Sequence, residues 1–475
     1  MNRFSKMCAS CGVAMVLAGV ALLAGCGGGS PAGPAPQPTL AITVAPPKVA
    51  AGEAAVLTWS SPGSSECAAS GAWSGPQAPS GALTLSAGSP GRQSFSIRCS
   101  GSGGSVAGTA VLSVLAAPAA PGTNVMQVVV DRGPVGTSFN MPFVSVTVCV
   151  PGQATCRTVD RVLVDTGSVG LRLMAATLDI TPMLPAVATE TGAAAGACGQ
   201  FVSGFSWGSL RRADVQLGGA VAAAIPIQLV SDPSAPYAAI PTACSNIGFN
   251  QGTAIALGAN GILGVGLFLH DCAERCVAST VQRTYYGCDA AGCVVSALPL
   301  ESQLSNPVAS LAGHDNGLSI TLPPVPAGGA SAVVGTLTFG LGTAPNNQLA
   351  GATIHPTDRL GYFTTVYKGR AYSRSFIDSG SNGIFFDDPD LPVCGDFYCP
   401  RESLLLTAST GAATVSFTID NIALLTAGTS ALHAAGPYGL SQNFDWGLPF
   451  FFGRTVALAL SGAATPSGSG PYWAY

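Results

Sequence analysis

One short motif occurs twice in this chain, and it constrains the fold more than any other feature. Residues 164–168 read V-D-T-G-S and residues 377–381 read I-D-S-G-S. Both copies follow apolar runs typical of strands, and their aspartates, Asp165 and Asp378, are 213 positions apart (378 minus 165). Because glycine lets a backbone turn sharply, each motif predicts an aspartate at a strand end, on a tight turn. The duplication therefore predicts two similar β units that each present one carboxylate.

Two carboxylates held in the same local backbone geometry are suited to acid–base catalysis. Like charges about 3 Å apart cannot both ionise, so such a pair holds one proton and can act as base and acid at once. We therefore predict that Asp165 and Asp378 are catalytic. The alternative is that both motifs are ordinary glycine turns capped by an aspartate, since a chain with 61 glycines contains many turns.

The composition excludes some classes of protein. Only 9% of the 475 residues are charged, and the formal net charge is −4. The chain is not basic enough to follow a phosphate backbone, so nucleic acid is not expected as a partner. Glycine, proline, serine, threonine, alanine and valine dominate, whereas long runs rich in glutamate, lysine and leucine are absent from the sequence. The chain is therefore predicted to be mainly β.

The N-terminus is predicted to be a targeting segment. Arg3 and Lys6 precede an apolar stretch, 13–23, that is too short for a comfortable membrane span. The next residues, L-A-G-C ending at Cys26, resemble a bacterial lipobox. That resemblance implies a signal peptide over 1–25, acylation of Cys26 and attachment to a lipid bilayer; an ordinary signal peptide is the alternative. A glycine directly after Cys26 implies, by analogy, the outer membrane of a Gram-negative bacterium, facing a side that the sequence leaves open.

The cysteine usage agrees with export. Of the 15 cysteines, Cys8 and Cys11 would leave with the signal peptide and Cys26 would carry lipid, which leaves an even number. A cluster with the spacings C-x3-C and C-x4-C has three alternative connectivities, and its spacing is poor for zinc. The predicted disulfides are Cys67–Cys99, Cys149–Cys156, Cys198–Cys244 and Cys394–Cys399, with two more among Cys272, Cys276, Cys288 and Cys293.

Two linkers divide the chain. Residues 26–39 are rich in glycine, proline and serine, and 117–123 form the second linker. Between them, 40–116 show short strand patterns separated by turn residues. Trp59 and the predicted Cys67–Cys99 disulfide would fill the core of a small sandwich. This part resembles the immunoglobulin-like domains of bacterial surface lipoproteins, and we expect it to act as a stalk.

Residues 124–475 resemble a bilobal pepsin-like aspartic peptidase, with one lobe over about 124–325 and the other over about 326–475. The resemblance implies a double β-barrel in which the Asp165/Asp378 dyad activates water for peptide hydrolysis, without a cofactor or a metal. It also implies an extended peptide as substrate and a monomeric protein. Besides the two D-[ST]-G motifs, the segments that match the family in order are 201–208 with 213–219, 260–264, 306–311 with 318–322, 335–340 and 446–454.

The resemblance assigns roles to residues around the dyad. The hydroxyls of Thr166 and Ser379 would lock the two turns together, and Ser168 and Ser381 would hydrogen-bond the outer carboxylate oxygens. The residues predicted to support the dyad are Thr166, Gly167, Ser168, Ser379, Gly380 and Ser381, and those predicted to form the flap and bind substrate are Phe201, Gly204 and Trp207.

The chain departs from the family pattern at three places. The flap residue that is tyrosine in the family is Phe201 here, which has no hydroxyl, although the N–H of Trp207 could substitute for it. Asp445 stands where the family has an apolar residue, and it could perturb the dyad or face outward. The cysteine cluster at 272–293 looks like an insertion. These departures motivate an alternative function, a catalytically inactive pepsin-like fold kept as a binding or structural module of the envelope.

A second alternative is a serine hydrolase. Residues 204–208 read G-x-S-x-G, the motif of a nucleophile elbow with Ser206 as nucleophile. That elbow needs a strand before the serine and a helix after it, whereas a strand and turn pattern follows Ser206. We therefore disfavour this function. The histidines available as partners are His270, His314, His355 and His433.

Overall fold

The structure, a computed structural model, describes residues 36–50, 53–86, 91–115, 124–349, 351–411, 413–426 and 428–475. The predicted signal peptide, Cys26 and the 117–123 linker lie outside the described residues, so the predictions made for them stay predictions. Within the described ranges the chain is mostly strand, as the composition predicts. Its α-helices are α1 (Thr242–Ser245), α2 (Ala254–Leu257) and α3 (Glu274–Val277), and 3₁₀ turns lie at Ala175–Thr177, Thr181–Met183, Leu300–Ser302, Pro307–Ser310, Pro345–Asn347, Ile422–Leu424 and Leu448–Phe451. In the described part of the chain, no helix has the length and hydropathy needed to cross a membrane.

The N-terminal strands form two small sheets. Their bounds are β1 (Ala41–Ala45), β2 (Lys48–Ala50), β3 (Ala54–Ser60), β4 (Glu66–Gly71), β5 (Gly75–Gln77), β6 (Ser80–Ser86), β7 (Gly91–Gly101) and β8 (Gly104–Leu115). One sheet has the order β1-β3-β6 and the other has the order β2-β8-β7-β4-β5. Alternate residues of β3 are buried, as expected for a strand with one face on a core.

The core of this small domain contains the predicted tryptophan and disulfide. Trp59 and Cys99 are both buried, and Cys67 and Cys99 are bonded to each other. The two cysteines are direct partners on neighbouring strands of one sheet, β4 and β7. In immunoglobulin domains, by contrast, the conserved disulfide joins the two sheets. The disulfide therefore does not support the immunoglobulin-like resemblance, which stays a prediction.

The rest of the chain forms two large barrel-like sheets and two small hairpins. Their strands are β9 (Val125–Val130), β10 (Pro142–Cys149), β11 (Cys156–Asp165), β12 (Val169–Met174), β13 (Ala194–Phe201), β14 (Gly204–Leu217), β15 (Ala220–Val230), β16 (Gly261–Val265), β17 (Tyr285–Asp289), β18 (Gly292–Val295), β19 (Gly317–Leu322), β20 (Val333–Phe339), β21 (Ile354–Pro356), β22 (Phe363–Tyr367), β23 (Arg370–Asp378), β24 (Ile384–Phe385), β25 (Val393–Cys394), β26 (Phe397–Tyr398), β27 (Leu404–Thr410), β28 (Ala413–Ile419), β29 (Ala435–Gly436), β30 (Asn443–Gly447), β31 (Arg454–Ala459), β32 (Ala464–Thr465), β33 (Gly468–Ser469) and β34 (Tyr472–Ala474).

The first large sheet has the order β18-β17-β13-β14-β15-β12-β16-β11-β10-β9-β20-β19-β31-β34-β21, and β10 also pairs with β14. That extra pairing brings separated parts of the sheet together, so the sheet curls towards closure. The second large sheet has the order β28-β27-β22-β23-β30-β24-β29. Two barrel-like sheets in one mainly β body confirm the predicted pepsin-like double β-barrel fold.

Each large sheet is packed on apolar side chains. The first uses mostly β-branched and leucine residues, which suit a pleated, half-buried surface. The second is centred on aromatic rings, with Phe386 and Phe444 stacked at 4.7 Å between centroids and Trp446 tilted against Phe444 at 4.5 Å. Phe444 and Trp446 belong to β30 itself, which pairs with the second D-[ST]-G strand, β23, so this packing helps to hold that strand in place.

The four disulfides predicted outside the cluster are present, at Cys67–Cys99, Cys149–Cys156, Cys198–Cys244 and Cys394–Cys399. The cluster resolves into Cys272–Cys276 and Cys288–Cys293. Its four sulfurs are therefore occupied, and they do not form a zinc site. Among the described residues, no group of three or more histidine, cysteine or acidic side chains is arranged to hold a metal ion.

Candidate active site

The first D-[ST]-G motif lies at the end of β11. Asp165 is the last residue of that strand, and it pairs in parallel register with Gly264 of β16. The chain turns through Thr166, Gly167 and Ser168 and returns as β12, which pairs with the other side of β16. The turn is therefore held between two strands that both contact β16.

The second motif is built in the same way. Asp378 ends β23 and pairs in parallel register with Gly447 of β30. After the turn, β24 pairs with the other side of β30, where Phe385 opposes Asp445. Each D-[ST]-G turn thus lies beside its own apolar-glycine strand, as the sequence predicts.

Both apolar-glycine strands need their glycine. A Cβ added to Gly264 would lie 2.8 Å from the backbone of Val169, and one added to Gly447 would lie 2.0 Å from the carbonyl oxygen of Gly383. Neither position has room for a side chain. The absence of a side chain lets β16 and β30 pass directly behind the two aspartate turns.

The two turns are cross-linked by their hydroxyl residues. The backbone N–H of Thr166 donates to Ser379 Oγ at 3.1 Å, and the backbone N–H of Ser379 donates to Thr166 Oγ1 at 2.9 Å. Thr166 Oγ1 then donates to the carbonyl oxygen of Ile377 at 3.2 Å, and Ser379 Oγ donates to that of Val164 at 2.7 Å. Because all four bonds are buried, they fix the two motifs relative to each other.

Each aspartate receives the same pair of hydrogen bonds. The N–H of Gly167 donates to Asp165 Oδ1 at 2.8 Å, and the hydroxyl of Ser168 donates to Asp165 Oδ2. In the second motif, the N–H of Gly380 donates to Asp378 Oδ1 at 2.8 Å. The hydroxyl of Ser381 likewise donates to Asp378 Oδ2, at 2.8 Å. The two carboxyl groups are therefore held in equivalent frames, although Asp165 is buried and Asp378 is half-buried.

Each carboxyl group lies against the turn of the other motif, and the two side chains are hydrogen-bonded to each other. A Cβ added to Gly167 would lie 2.7 Å from the carboxyl carbon of Asp378, and one added to Gly380 would lie 2.7 Å from Asp165 Oδ1. Burial, the charge of Asp165 and a hydrogen bond with the Asp165 side chain raise the pKa of Asp378 to about 8. Asp378 therefore keeps its proton well above the pH at which an ordinary carboxyl ionises, and a protonated carboxyl beside a second one is what acid–base catalysis by two carboxylates requires.

Asp445 faces inward, towards this pair. It is 3% exposed, and its Oδ1 has no hydrogen-bond partner. Burial, followed by the charge of Asp378, raises the pKa of Asp445 well above its ordinary value. Of the two orientations that the sequence left open, the structure has the one in which Asp445 can act on the dyad.

The hairpin of β13 and β14 carries the residues predicted for the flap. Phe201 is the last residue of β13, and Val202 at the tip is almost fully exposed. Gly204 has a positive φ of 149°, and a Cβ there would lie 2.1 Å from the carbonyl oxygen of Phe249. Glycine at 204 therefore lets the base of the hairpin pack closely on the segment around Phe249.

Trp207 does not have the role that we expected. It is 2% exposed, and its Nε1–H donates to the carbonyl oxygen of Tyr237 at 2.8 Å. Its ring packs edge-on against Tyr286 at 5.0 Å. Because this N–H is used inside the fold, it is not available to replace the hydroxyl that Phe201 lacks.

The prediction missed a buried charged cluster beneath the hairpin. The guanidinium of Arg172 lies 5.8 Å from the ring centre of Phe201 and pairs with Asp271 at 3.3 Å. The hydroxyl of Tyr285 donates to Asp271 as well. Burial raises the pKa of Asp271, and the positive charge of Arg172 partly offsets that effect. A lone arginine inside the apolar run V-G-L-R-L-M at 169–174 was the available sequence signal.

The G-x-S-x-G segment is not a nucleophile elbow. Ser206 lies within β14, not on a turn between a strand and a helix. Its side chain is buried, and its hydroxyl donates to Gln228 Oε1 at 3.2 Å. The His314 ring contacts Thr343, that of His433 contacts the carbonyl oxygen of Val325, and that of His355 stacks on Tyr475.

Comparisons with known proteins relate the chain to a family and to solved structures. The model of a family described as "Protein of unknown function (DUF3443)" matches residues 120–475. No curated protein matches the chain. Among solved structures, the aspartic proteinase from Irpex lacteus is similar, with 18% identity, a TM-score of 0.45, and coverage of 74% of this chain and 96% of that one.

Proposed function

This chain belongs to the DUF3443 family, and we propose that it is an aspartic endopeptidase in which Asp165 and Asp378 activate water for peptide hydrolysis. One observation carries the proposal: the two carboxyl groups are in contact at the ends of β11 and β23, each held by a glycine N–H and a serine hydroxyl. If both motifs were ordinary capped turns, nothing would require them to lie together or to be joined by hydrogen bonds from their hydroxyl groups.

One cycle of peptide hydrolysis returns both aspartates to their starting protonation states. Asp378 carries the shared proton because its pKa is raised, and Asp165 is the base. Asp165 takes a proton from water while the water oxygen attacks the peptide carbonyl carbon, and Asp378 gives its proton to the carbonyl oxygen. When the tetrahedral diol collapses, the leaving nitrogen takes the proton from Asp165 and a diol hydroxyl returns one to Asp378. The C–N bond breaks, and the starting protonation state is restored.

The expected substrate is an extended peptide with apolar side chains. Aromatic side chains lie beside the strand that delivers Asp378: the ring of Phe376 packs against Tyr438 at 6.1 Å and Tyr362 at 6.3 Å. Phe201 adds an aromatic ring at the hairpin. Such surfaces favour apolar side chains by removing apolar area from water. Unfolded proteins are therefore the proposed natural class of substrate.

We also propose that the protein is exported and anchored to a bilayer through an acylated Cys26. Six disulfides in the described residues support an oxidising compartment. Labelling cells with a radioactive fatty acid should mark the wild-type protein and not the Cys26→Ser variant. Label in both the wild type and the Cys26→Ser variant, or in neither protein, would contradict lipidation at Cys26.

A peptide-library digest tests the proposed activity. The delipidated protein should cleave the library between about pH 3 and pH 7 with a preference for apolar residues, and Asp165→Asn should not. A pepstatin-type inhibitor, which mimics the tetrahedral intermediate, should block cleavage. No cleavage by the wild type at any pH, or equal cleavage by both proteins, would favour the alternative of an inactive pepsin-like binding module.

A further inference from the structure

Arg172 is a buried arginine in β12, the strand that returns from the first D-[ST]-G turn. It is 4% exposed, lies seven residues after Asp165 (172 minus 165) and pairs with the apolar-glycine strand β16. In the second motif, Phe385 lies seven residues after Asp378 (385 minus 378) and pairs with the apolar-glycine strand β30. The fold therefore accepts an apolar side chain at this place. Because burying a charge is costly, an arginine here needs a reason other than architecture.

One side of the Arg172 guanidinium reaches both strands of the β13–β14 hairpin through Gln228. Arg172 Nη1 donates to Gln228 Oε1 at 3.2 Å. Gln228 Nε2 donates to the carbonyl oxygen of Ala197 in β13 at 2.7 Å, and the hydroxyl of Ser206 in β14 donates to Gln228 Oε1 at 3.2 Å. Gln228 is fully buried, so water does not compete for these bonds. A single side-chain amide thus joins Arg172 to the two strands.

The other side of the guanidinium reaches the hairpin from its outer edge. Arg172 Nη2 pairs with Asp271 Oδ2 at 3.3 Å, and both side chains are buried. The hydroxyl of Tyr285 donates to Asp271, and Tyr285 lies in β17, which pairs with β13. Buried ion pairs are screened by salt much less than exposed ones. Arg172 is therefore linked to the hairpin by two independent routes.

The guanidinium also contacts the turn that carries Asp165. Arg172 Nη2 donates to the carbonyl oxygen of Val169 at 3.5 Å. Val169 directly follows Ser168, whose hydroxyl donates to Asp165 Oδ2. Because the donors of an arginine belong to one rigid planar group, a movement of the hairpin relative to this turn would break several of these bonds at once.

Phe201, at the end of β13, packs on the same guanidinium. The centre of the guanidinium lies 5.8 Å from the centroid of the Phe201 ring, which is within the range of a cation–π contact. Arg172 Nε is buried and has no hydrogen-bond partner. A Cβ added to Gly199 would lie 3.4 Å from this nitrogen and 3.2 Å from the Phe201 ring, so glycine lets β13 approach both groups. The end of β13 therefore rests on Arg172.

We propose that Arg172 is a positioning residue: it ties the hairpin of β13 and β14 to the turn that carries Asp165 and keeps the hairpin ordered before substrate binds. This inference rests on the proposed peptidase function, because it gives the hairpin a role in binding the peptide. A hairpin that is already ordered loses less conformational entropy when a substrate binds against it. Arg172 therefore contributes to substrate binding rather than to the chemical step.

Two variants test this role by kinetics. Arg172→Met/Asp271→Asn removes the guanidinium without leaving a buried carboxylate unpaired, and Gln228→Met removes the amide that joins Arg172 to both strands. Each should raise KM about tenfold, as expected if about a tenth of the molecules keep the ordered hairpin, with kcat within about twofold of the wild type. Arg157→Met, which breaks the exposed Arg157–Asp179 ion pair, is the control and should leave both constants unchanged. An unchanged KM in both test variants, or a fall in kcat without a change in KM, would overturn the proposal.

Hydrogen exchange tests the same role without requiring any activity. In both test variants the amides of the paired hairpin segments, 196–201 and 204–209, should exchange about tenfold faster than in the wild type. Amides of β19 should exchange as in the wild type. Unchanged exchange in the hairpin, or an equal increase in β19, would overturn the proposal even if the protein is a peptidase. Faster exchange confined to the hairpin of a protein that cleaves nothing would keep Arg172 as the residue that orders the hairpin and sink only the proposed function.

Gln228→Met carries both tests if the Arg172 variant does not fold, since it leaves the buried ion pair between Arg172 and Asp271 intact. Thermal unfolding identifies that case. A Gln228→Met protein with native stability, wild-type KM and wild-type exchange in the hairpin would by itself overturn the proposal.

Discussion

The backbone N–H of Thr166 donates to Ser379 Oγ at 3.1 Å, and the backbone N–H of Ser379 donates to Thr166 Oγ1 at 2.9 Å. The two residues are 213 positions apart in the chain. This reciprocal pair of bonds is buried directly beneath the two carboxyl groups. The distance between the carboxyls is therefore set by the interior of the protein, not by the side chains of the aspartates alone.

Removing one hydroxyl from this pair should destabilise the protein. Ser379→Ala leaves the buried N–H of Thr166 without its acceptor, which should lower the free energy of unfolding by about 1 to 3 kcal/mol. Thr166→Ser keeps the hydroxyl and should cost less than Thr166→Ala. Urea denaturation measures these changes, with the exposed Ser441→Ala as the control. An unchanged urea midpoint for Ser379→Ala would contradict the cross-link.

The raised pKa of Asp378 predicts how stability depends on pH. Its protonated form is favoured in the folded state, so this contribution to stability is complete below the ordinary carboxyl pKa of about 4. It is lost as the pH rises towards the folded-state value of about 8. Asp378→Asn should therefore become increasingly more stable than the wild type as the pH rises through this window. The exposed Ser441→Ala, which removes no titratable group, is the control and should give a flat difference; a flat difference for Asp378→Asn would refute the prediction.

Gly447→Ala should disrupt the second motif. Its Cβ would lie 2.0 Å from the carbonyl oxygen of Gly383, so β30 or the turn must move. We expect a lower unfolding temperature and a large loss of peptidase activity. Gly428→Ala is the matched control, since its Cβ would meet only Thr426 Oγ1, at 4.0 Å. Equal unfolding temperatures for the two variants would show that the close approach is not needed.

Two disulfides should differ in their contribution to stability. Cys198–Cys244 closes a loop of 46 residues and Cys394–Cys399 one of five. In the loop-entropy description, replacing the first pair by serine should cost about 2 kcal/mol more than replacing the second. Unfolding in urea without reductant compares the two double variants. A smaller cost for the Cys198–Cys244 variant would mean that loop entropy is not the main term.

The local part of this site could be predicted from the sequence because it depends on turn chemistry. A D-[ST]-G motif after an apolar run places its aspartate on a turn at a strand end, so Asp165 and Asp378 could be named in advance. Their hydrogen-bonding neighbours followed from the resemblance to pepsin-like peptidases. The pairing of Cys149 with Cys156 is also local, since these residues face each other at the turn end of one hairpin.

What the sequence left open or predicted wrongly depends on register and long-range packing. The side to which Asp445 faces follows from the pairing of β30 with β23, which no local pattern fixes. The N–H of Trp207 meets the carbonyl of Tyr237 only through the folded chain. In the same way, Arg172 and Asp271 are 99 positions apart. The connectivity of the cysteine cluster was open because its spacings allow several pairings.

Cleavage of one library-selected peptide by single-site variants tests the central claim most directly. Asp165→Asn and Asp378→Asn each remove one member of the pair and keep its shape, so each should lower kcat/KM by about 10²- to 10⁴-fold at the pH optimum. Asp315→Asn should match the wild type. Both dyad variants should lose activity while their circular dichroism stays native. Retention of near-wild-type kcat/KM by either variant would contradict the proposed Asp165/Asp378 dyad.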